Sequence, residues 1–448
     1  MAFACEQCGH RSVKWFGRCP GCGQWDSLTE VRSDGTDVAV DTTWLGEELR
    51  SISEIDLTNV QRLPSGLSEL DRLLGGGLIP GGVVLFGGEP GIGKSTLLLQ
   101  MAESIARGTG KVLYVSGEES EGQVKLRATR IGANSEQLFV LSEQSLNRIM
   151  AAVEQVEPLV LIVDSIQTTA DERVAGEAGS VKQLREASSA LIQLTKAKSM
   201  TTFLVGHITK EGAFAGPKTI EHLVDVAIYL EGSRTEDVRM LRSVKNRFGA
   251  TNEVAVFQMT AAGLVGIEDP SRFFLGDSDR PKHPGSVYVP ILEGTRPILV
   301  ELQALVSPTG GYGTPQRRCT GLDVNRVLLM LAVMEKHLEV HIGGADVYLS
   351  LAGGLDVRER GTDLGVIAAV LSSLRNRALS DRTAVVGEVG LSGEIRPVRR
   401  LKERMAEASK LGIQRMIVPQ SARMAKTEGL EIVGVERVSE AIEALSFE

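Results

Sequence analysis

The sequence has no uninterrupted run of 18 apolar residues, and its first ten residues, MAFACEQCGH, contain neither a basic stretch nor an apolar one. The first absence excludes a membrane-spanning helix, and the second excludes a secretory signal peptide. Short-period repeats and low-complexity tracts are also missing. We therefore expect a globular protein of the cytoplasm.

The sequence also lacks an excess of positive charge, since its formal charge at pH 7 is −8. Such a chain is not a general polyanion binder coated with lysine, so any nucleic-acid contact has to be confined to local basic loops. Hydrophobic residues make up 42% of the chain, and 49 of its 448 residues are glycine, which is typical of an α/β protein with many tight turns. This length predicts two or three domains.

Cysteine is scarce outside the amino-terminal region. Four of the five cysteines form two CxxC pairs there: Cys5, Cys8, Cys19 and Cys22. Two such pairs complete a four-thiolate shell around one metal ion. The alternative, two disulfides or a redox pair, is disfavoured because a cytoplasmic chain keeps its thiols reduced. We predict a structural zinc finger over residues 1–30 and a polar linker over residues 31–56.

Two larger regions follow the linker. Over residues 57–268, apolar strand-like runs alternate with amphipathic helical segments, as in GGVVLFGG followed by STLLLQMAESIARG. Such alternation predicts a parallel sheet covered by helices, in an α/β fold. Residues 269–285 are rich in Asp, Pro, Gly and Ser and are predicted to be a second linker. Residues 286–448 carry an α+β pattern whose last predicted helix lies near RRLKERMAEASKLG.

The segment GEPGIGKS fits the pattern GxxxxGK[ST] and lies between a predicted strand and a predicted helix. Glycines let consecutive backbone N–H groups turn toward phosphate oxygens, and the helix N-terminus adds its positive dipole end. Lys94 would reach the β- and γ-phosphates, Ser95 would ligate magnesium and Thr96 would lie near the α-phosphate. The predicted ATP-binding residues are Gly88, Glu89, Pro90, Gly91, Ile92, Gly93, Lys94, Ser95 and Thr96.

Polar side chains follow three other predicted strands. Asp164 ends LVLIVD and is predicted to hold magnesium, because a buried, unpaired carboxylate would be costly; a strand-end cap is the alternative. In YVSGEES, Glu118 is predicted to be the base that activates the attacking water, whereas Glu119 and Ser120 are expected to cap the next helix. His207 is predicted to be a polar sensor of the γ-phosphate, with a packed histidine as the alternative.

The segment SVKNRFGATNEV places two cations, Lys245 and Arg247, at the end of a further predicted strand, far from the phosphate loop in sequence. On spacing alone, a solvated basic turn is the more common fate of such a cluster. Phe248 is expected to be a packing anchor, and Gly249 is expected to permit a tight turn.

The segment SGLSELDRLLGGGLIPGG, together with Glu118, Asp164 and His207, resembles the RecA-like ATPase core. A four-cysteine finger, this core with KNRFG, and the carboxyl domain come in the order of the bacterial RadA (Sms) family, which the whole chain resembles. The resemblance implies a DNA-dependent ATPase of DNA repair and recombination that forms hexameric rings, translocates on single-stranded and branched DNA, and meets the RecA recombinase. It also implies that Lys245 and Arg247 reach the ATP of a neighbouring subunit and are catalytic, as an arginine finger is.

Residues 286–448 resemble the peptidase domain of Lon protease. Lys402 matches the catalytic lysine of that family, but Asp363 stands where its nucleophilic serine is expected. A carboxylate cannot form the acyl-enzyme, so we predict an inactive peptidase fold. Cys319 is predicted to be an inert thiol. A nearby basic cluster is expected to be a solvated helix face, with DNA contact as the alternative: Arg396, Arg399, Arg400, Lys402 and Arg404.

Two segments are candidates for DNA contact. TKEGAFAGPK, residues 209–218, is glycine-rich and carries the predicted DNA-binding residues Lys210 and Lys218. ADERVAGEAGSVKQLRE, after Asp164, is the second. Because aromatic residues make up only 4% of the chain, we expect the protein to track the DNA backbone rather than read bases. Two other functions stay open: an ATP-dependent Lon-like protease, which Asp363 argues against, and a RecA-like scaffold ATPase without motor activity.

Overall fold

The computed structural model describes residues 2–8, 10–12, 14–31, 51, 53, 61–207, 217–232, 237–276, 283–309, 314–380, 382–422 and 427–447. The chain divides into two compact units, residues 1–59 and residues 60–448. Within the described ranges, no helix has the length and apolar character needed to cross a membrane.

The first unit contains a small antiparallel ribbon. Its described strands are β1 (Ala2–Cys5), β2 (Arg11–Ser12) and β3 (Leu28–Val31), in the order β2-β1-β3. Its core consists of Cys5, Cys19 and Leu28, with Phe3 packed against them. So few buried side chains cannot stabilise a fold of this size alone, which makes the four thiols central to its stability.

The first region of the second unit, residues 61–268, is built on one large sheet. Nine strands of the described chain form it: β4 (Val83–Gly88), β5 (Val112–Ser116), β6 (Leu138–Ser142), β7 (Val160–Asp164), β8 (Thr201–His207), β9 (Val226–Glu231), β10 (Val238–Asn246), β11 (Val254–Thr260) and β12 (Gly263–Gly266). Their order is β12-β11-β10-β9-β4-β8-β7-β5-β6. The helices of this region are α1 (Ser68–Leu74), α2 (Lys94–Gly108), α3 (Glu121–Arg130), α4 (Leu146–Val156), α5 (Val181–Lys198) and α6 (Pro217–Glu221).

The sheet is mixed, whereas the sequence predicted a parallel one. Strands β4 to β9 pair in parallel, but β10, β11 and β12 pair antiparallel with their neighbours. The connections from β9 to β12 are too short for a crossover helix, so these strands are joined as hairpins. Strands β4, β5 and β7 are buried along their whole length, which explains their continuous apolar runs. All the parallel strands therefore present their carboxyl ends at one edge.

The carboxyl region of the same unit is α+β, as predicted. The strands of its described sheet are β13 (Ser286–Glu293), β14 (Arg296–Pro308), β15 (Arg317–Thr320), β16 (Ala345–Leu351), β17 (Thr383–Val385), β20 (Arg415–Pro419) and β21 (Glu431–Val435), and a separate hairpin consists of β18 (Glu388–Val389) and β19 (Ile395–Arg396). The order in the sheet is β15-β16-β14-β13-β17-β20-β21. The helices are α8 (Val324–His337), α9 (Asp363–Arg375), α10 (Leu401–Lys410) and α11 (Val438–Ala444). The sequence placed the last helix at α10 and missed α11.

The segment predicted to be a linker over residues 269–285 contains a helix, α7 (Pro270–Leu275). The Ser271 hydroxyl accepts a hydrogen bond from the backbone N–H of Leu299 at 3.0 Å, and Phe274 belongs to the core of the carboxyl region. Asp269 caps α7 and Pro270 begins it, so a composition typical of a loop here encodes a helix start.

Ion pairs join the first region of the second unit to the carboxyl region. Arg296, at the start of β14, contacts the buried Glu69 of α1 at 2.7 Å, and Arg242 of β10 contacts Glu293 of β13 at 2.9 Å. Partly buried pairs of this kind are screened less by salt than surface pairs are. The hairpin of β13 and β14 is therefore fixed to the strand that carries KNRFG.

Candidate nucleotide site and metal cluster

The phosphate loop lies between β4 and α2, at the carboxyl edge of the sheet. Gly93 adopts φ = 117° as the residue before α2, and a Cβ there would lie 2.8 Å from Cε of Met259. A Cβ on Gly88 would lie 2.7 Å from the carbonyl oxygen of Leu230. Both positions need glycine for conformational or steric reasons, so the turn depends on this sequence.

Lys94 is buried at the start of α2, in the centre of the site. Its ammonium donates hydrogen bonds to the carbonyl oxygens of Gly88 at 2.9 Å and Glu89 at 3.0 Å, and to Nδ1 of His207 at 3.0 Å. Burial lowers the pKa of Lys94 to about 8, against the opposing effects of Asp164 and Glu118. A buried cation with backbone partners is poised to exchange them for phosphate oxygens.

His207 connects Lys94 to Glu118. Because the Lys94 ammonium donates to Nδ1, the imidazole proton lies on Nε2, from which it is donated to Oε1 of Glu118 at 3.0 Å. This continuous path from the phosphate-loop lysine to the predicted base is the coupling expected of a sensor.

Glu118 is partly exposed and follows β5. Its Oε1 accepts a second hydrogen bond, from the Ser165 hydroxyl, at 2.7 Å. Partial burial raises the pKa of Glu118, but the Ser165 hydrogen bond and His207 outweigh that effect, so its pKa lies below the ordinary value. The side chain is therefore an ionised acceptor at neutral pH, as a residue that orients a water molecule has to be.

Asp164 is buried at the end of β7, but it is not unpaired, so the premise of the sequence argument was wrong. Its Oδ2 accepts a hydrogen bond from the Tyr114 hydroxyl at 2.6 Å. Burial, and then the charge of Asp164, raise the pKa of Tyr114 well above its ordinary value, so the phenol keeps its proton. The Tyr114 hydroxyl also interacts with the side chain of Ser95. Ser95 and Asp164, the two predicted magnesium ligands, thus meet at one hydroxyl group, and this set of oxygen atoms suits a magnesium ion.

Helix α3 begins at Glu121, three residues after Glu118. Ser120 is its N-cap and forms a capping box with Gln123, which confirms that part of the prediction. The expectation for Glu119 was wrong: its carboxylate pairs with Arg127, and its backbone N–H bonds to the Ser116 hydroxyl. Helix α3 is thereby anchored beside the site.

The two cations of KNRFG lie at the opposite edge of the sheet. Strand β10 extends through Lys245 and Asn246 and runs antiparallel to β9, which is parallel to β4. The end of β10 is therefore level with the start of β4, and β4 spans roughly 17 Å at about 3.3 Å per residue. Lys245 and Arg247 lie about that far from the edge occupied by Lys94.

Local contacts hold both cations. Lys245 donates to the carbonyl oxygens of Glu221 at 3.0 Å and His222 at 3.1 Å, and partial burial, followed by the charge of Arg247, lowers the pKa of Lys245. Arg247 is more than half exposed and pairs with Asp225 at 3.1 Å. Lys245 thus lies partly buried at the end of β10, and Arg247 lies exposed directly after that strand.

The two residues after Arg247 differ in how well they meet expectation. Phe248 packs against the core, and its ring lies where a side chain at Gly82 would be. Gly249 does not adopt a left-handed conformation. A Cβ there would lie 3.0 Å from Nδ2 of Asn246 and 3.4 Å from Cα of Gly75. Close approach of two chain segments is the reason for glycine at this position.

The two predicted DNA-binding lysines are not equally placed. Lys218 is exposed on α6, whereas Lys210 lies outside the described residues. In the second candidate segment, the buried Gln183 amide donates to the carbonyl oxygens of Asp171, Val174 and Gly176. That segment is tied to the start of α5.

The four cysteines of the ribbon converge as predicted. Their Sγ atoms all lie within 4.8 Å of one another, with Cys5 to Cys22 and Cys8 to Cys19 both at 3.7 Å. A disulfide needs about 2.05 Å, so the cysteines are not paired covalently. Four sulfur atoms placed tetrahedrally at about 2.3 Å from a zinc ion would be separated by roughly 3.8 Å, so the cluster fits this metal.

In the described part of the carboxyl region, Asp363 and Lys402 are not brought together. Asp363 is buried, pairs with Arg326 through both oxygens and accepts the Val389 backbone N–H at 3.0 Å. Lys402 is exposed on α10 and lines a different cleft from the one that Asp363 lines. Burial raises the pKa of the Cys319 thiol, so it resists ionisation.

The basic cluster near α10 is only partly the solvated face that was expected. Arg404 is fully buried, with Nη1 and Nη2 at 2.7 and 2.6 Å from the two carboxylate oxygens of Glu359, and it also donates to the carbonyl oxygen of Pro290. The other members are exposed: Arg396, Arg399, Arg400 and Lys402. The sequence could not separate Arg404 from them because its partner lies 45 residues away.

Three stretches of the chain are similar to known protein families. Family models match as an AAA domain at residues 49–213, a rubredoxin metal binding domain at residues 3–30 and subunit ChlI of Mg-chelatase at residues 336–422. The solved structure of a KaiC-like protein from the hyperthermophilic archaeon Pyrococcus horikoshii covers 46% of this chain, and 99% of that structure is covered, at 20% identity and a TM-score of 0.39.

The DNA repair proteins RadA of Halalkalibacterium halodurans and Bacillus subtilis are both 43% identical to this chain, over 447 and 450 residues. Each alignment covers 98% of this chain and 97% of the relative. The ribbon, the RecA-like core and the carboxyl region all fall within that match. The chain therefore belongs to the family of the DNA repair protein RadA.

Proposed function

We propose that this chain is an ATP-driven motor on single-stranded and branched DNA, which works as a homohexameric ring in recombination and repair. The observation that carries the proposal is the separation of two charged sets on one rigid sheet. Lys94, His207 and Glu118 lie at the carboxyl edge, and Lys245 and Arg247 lie at the other. In a ring, the nucleotide site of one subunit would be completed by Lys245 and Arg247 of the next subunit.

Hydrolysis would use the carboxyl-edge residues as follows. Lys94 exchanges its backbone partners for the β- and γ-phosphates, and Glu118 accepts a proton from the attacking water. His207, hydrogen-bonded to both, transmits the loss of the γ-phosphate to the chain that follows β8. Ser95 and Asp164 would hold magnesium, which supplies charge neutralisation of the phosphates when bound. The phosphate loop, Gly88 to Thr96, holds the rest of the nucleotide.

Lys245 and Arg247 of one subunit would stabilise the charge that develops on the γ-phosphate of its neighbour. Their surface position at the end of β10 supports this role, and Asp225 is the partner that Arg247 exchanges for phosphate. Because β10 is fixed to the carboxyl region through Arg242 and Glu293, movement at one subunit interface would be transmitted to that region.

DNA would pass the loops at the ring centre. The exposed Lys218 is one contact, and Lys210 is proposed as the second. The four ribbon cysteines would hold a structural zinc ion through four thiolates, which leaves no open coordination position for catalysis. The partner suspected from the family is a RecA recombinase. A Lon-like protease is disfavoured by the Asp363–Arg326 pair, which occupies the nucleophile position.

The test is ATP hydrolysis with and without single-stranded DNA, with fork unwinding measured in parallel, for the wild type, Lys94→Ala and Lys245→Ala. Lys196→Ala, which changes an exposed lysine on α5, is the matched control. We expect DNA to stimulate the wild type and the control, Lys94→Ala to lose turnover, and Lys245→Ala to bind nucleotide without turnover or unwinding. If DNA has no effect and Lys245→Ala hydrolyses normally, a scaffold ATPase replaces the motor.

A further inference from the structure

The surface of the amino-terminal ribbon concentrates the rarest large side chains of the protein. Two of the three tryptophans, Trp15 and Trp25, lie within eleven residues of each other, with Phe16 beside the first. Trp15 is 55% exposed, Trp25 is 70% exposed and Phe16 is 44% exposed. Aromatic rings of this size are normally mostly buried, and a cluster of exposed ones marks a binding surface.

The fold of the ribbon brings the two indoles together. The Cys19 N–H bonds to the carbonyl oxygen of Gln24, and the Asp26 N–H bonds to that of Gly17, so the chain before the second CxxC turn pairs with the chain after it. A Cβ on Gly17 would lie 3.7 Å from the Trp15 ring and 3.8 Å from the Trp25 ring. Both indoles therefore flank Gly17 on one face of the ribbon.

Positive charge accompanies the rings. The segment RSVKWFGR, residues 11–18, contains three cations and no acidic residue. Lys14 and Arg18 are exposed, and the Arg18 guanidinium lies 5.8 Å from the centroid of Trp25 while its Nε donates to the carbonyl oxygen of Gly23 at 2.7 Å. This contact places a cation over one face of the Trp25 ring.

We propose that Trp15, Trp25, Lys14 and Arg18 form a platform for single-stranded DNA, with bases stacked on the indoles and phosphates held by the two cations. Exposed rings alternating with cations suit this polymer, because each nucleotide offers one flat face and one negative charge. Duplex DNA already stacks its bases internally, and an apolar peptide would leave the cations unpaired. The choice of DNA as the polymer rests on the proposed function. The scarcity of aromatics in the whole chain conceals this local concentration.

Tryptophan fluorescence tests the platform directly. In the full-length Trp44→Phe variant, the platform holds the only two tryptophans. Titration with a thirty-nucleotide oligothymidylate, without ATP, is expected to quench this emission to saturation. An abasic oligonucleotide of equal length, which keeps the phosphates and lacks the bases, is expected to quench much less. Equal quenching by both, or quenching by neither, would overturn stacking.

Two double variants separate stacking from folding. Trp15→Ala/Trp25→Ala is expected to weaken oligothymidylate binding at least about fivefold, whereas Trp15→Phe/Trp25→Phe, which keeps flat rings, should restore most of the affinity. Phe139→Ala, which removes an exposed ring on β6, is the control and should change nothing. Metal content, measured on each purified variant, checks that the ribbon is intact. Unchanged affinity in the alanine variant with full metal content overturns the platform.

These experiments separate a failure of the platform proposal from a failure of the motor proposal. If oligothymidylate quenches the platform tryptophans but does not stimulate ATP hydrolysis, the platform stands and the motor falls. If DNA stimulates hydrolysis equally in the wild type and the alanine variant, and binds both with equal affinity, the motor stands and the platform falls. Loss of binding to a recombinase in the alanine variant, with DNA binding unchanged, would also overturn the platform, because the rings would then dock a protein.

Discussion

At the scale of single residues, the site is a chain of contacts that no one motif contains. Lys94 comes from the phosphate loop, His207 from the end of β8 and Glu118 from the end of β5, and hydrogen bonds of 3.0 Å join them. The protonation state of Lys94 determines whether it can donate the first of these hydrogen bonds, to His207. The burial of Lys94 has consequences that can be measured by changing pH.

The affinity for ATP should fall as the pH rises above about 8. Below the pKa of about 8, Lys94 carries its charge in the free protein, and ATP binds the charged form. Above it, binding has to take up a proton, so the affinity falls by up to about tenfold per pH unit. Binding of a fluorescent ATP analogue between pH 7 and pH 9.5 measures the effect. Lys94→Arg, whose cation does not titrate in this range, should give a flat profile; a flat profile for the wild type would contradict the assignment.

Tyr114 is predicted to position Asp164. Tyr114→Phe removes the hydrogen bond of 2.6 Å to a buried carboxylate, so it should lower turnover about 10- to 100-fold and the free energy of unfolding by about 1–3 kcal/mol. Magnesium titrations of ATP hydrolysis and chemical denaturation measure the two effects. Tyr348→Phe is the control, because Tyr348 lies on β16 of the carboxyl sheet and not in the sheet that carries the nucleotide site. Equal loss of turnover in both variants would show that Tyr114 has no special role.

At the scale of elements, α10 illustrates how a basic sequence can have two faces. Its start is surrounded by cations that reach solvent, yet Arg404 points into the core and pairs with Glu359. Glu359 also accepts the Leu292 backbone N–H at 2.8 Å, so the pair joins α10 to the end of β13.

Replacing Arg404 should make the carboxyl region less stable. Arg404→Ala leaves Glu359 partly buried without its partner and should lower the free energy of unfolding by about 3–5 kcal/mol. Arg396→Ala removes a cation that is more than half exposed and pairs with Glu388 and Glu394, so it should cost about 0–1 kcal/mol. Urea denaturation of both variants measures the difference. Equal costs would mean that the two arginines share one solvated face.

The elements that sequence predicted well are those with strong local signals. Strands β4, β5 and β7 and helices α2 and α5 follow directly from apolar runs and helical periodicity. Lys94 begins α2, Asp164 ends β7, and Glu118 follows the end of β5. Pairing between distant segments could not be predicted. The hydrogen bond from Tyr114 to Asp164 spans 50 residues, and the Arg326–Asp363 pair spans 37. The antiparallel extension through β10 also depended on loop lengths that composition does not reveal.

At the scale of the whole molecule, the position of KNRFG matters more than its composition. A Lys-Asn-Arg turn is an ordinary surface feature, but here it lies at the far edge of the sheet that carries the nucleotide site, on a strand tied to the carboxyl region by Arg242 and Glu293. The aromatic ribbon surface belongs to a separate compact unit. We therefore propose that nucleotide chemistry takes place at subunit interfaces and base stacking on the ribbon.

We propose that Lys245 serves the ATP site of a neighbouring subunit, and mixing two inactive variants gives the sharpest test. The Lys94→Ala variant keeps Lys245 but lacks a working phosphate loop. The Lys245→Ala variant keeps the phosphate loop but lacks the cation that would reach the neighbouring site. In randomly mixed rings at equal amounts, about a quarter of the interfaces should combine an intact Lys94 with an intact Lys245. We predict that DNA-stimulated ATP hydrolysis returns on mixing to a level of that order. If the mixture stays as inactive as its components, while cross-linking shows that mixed rings form, Lys245 does not act across the interface.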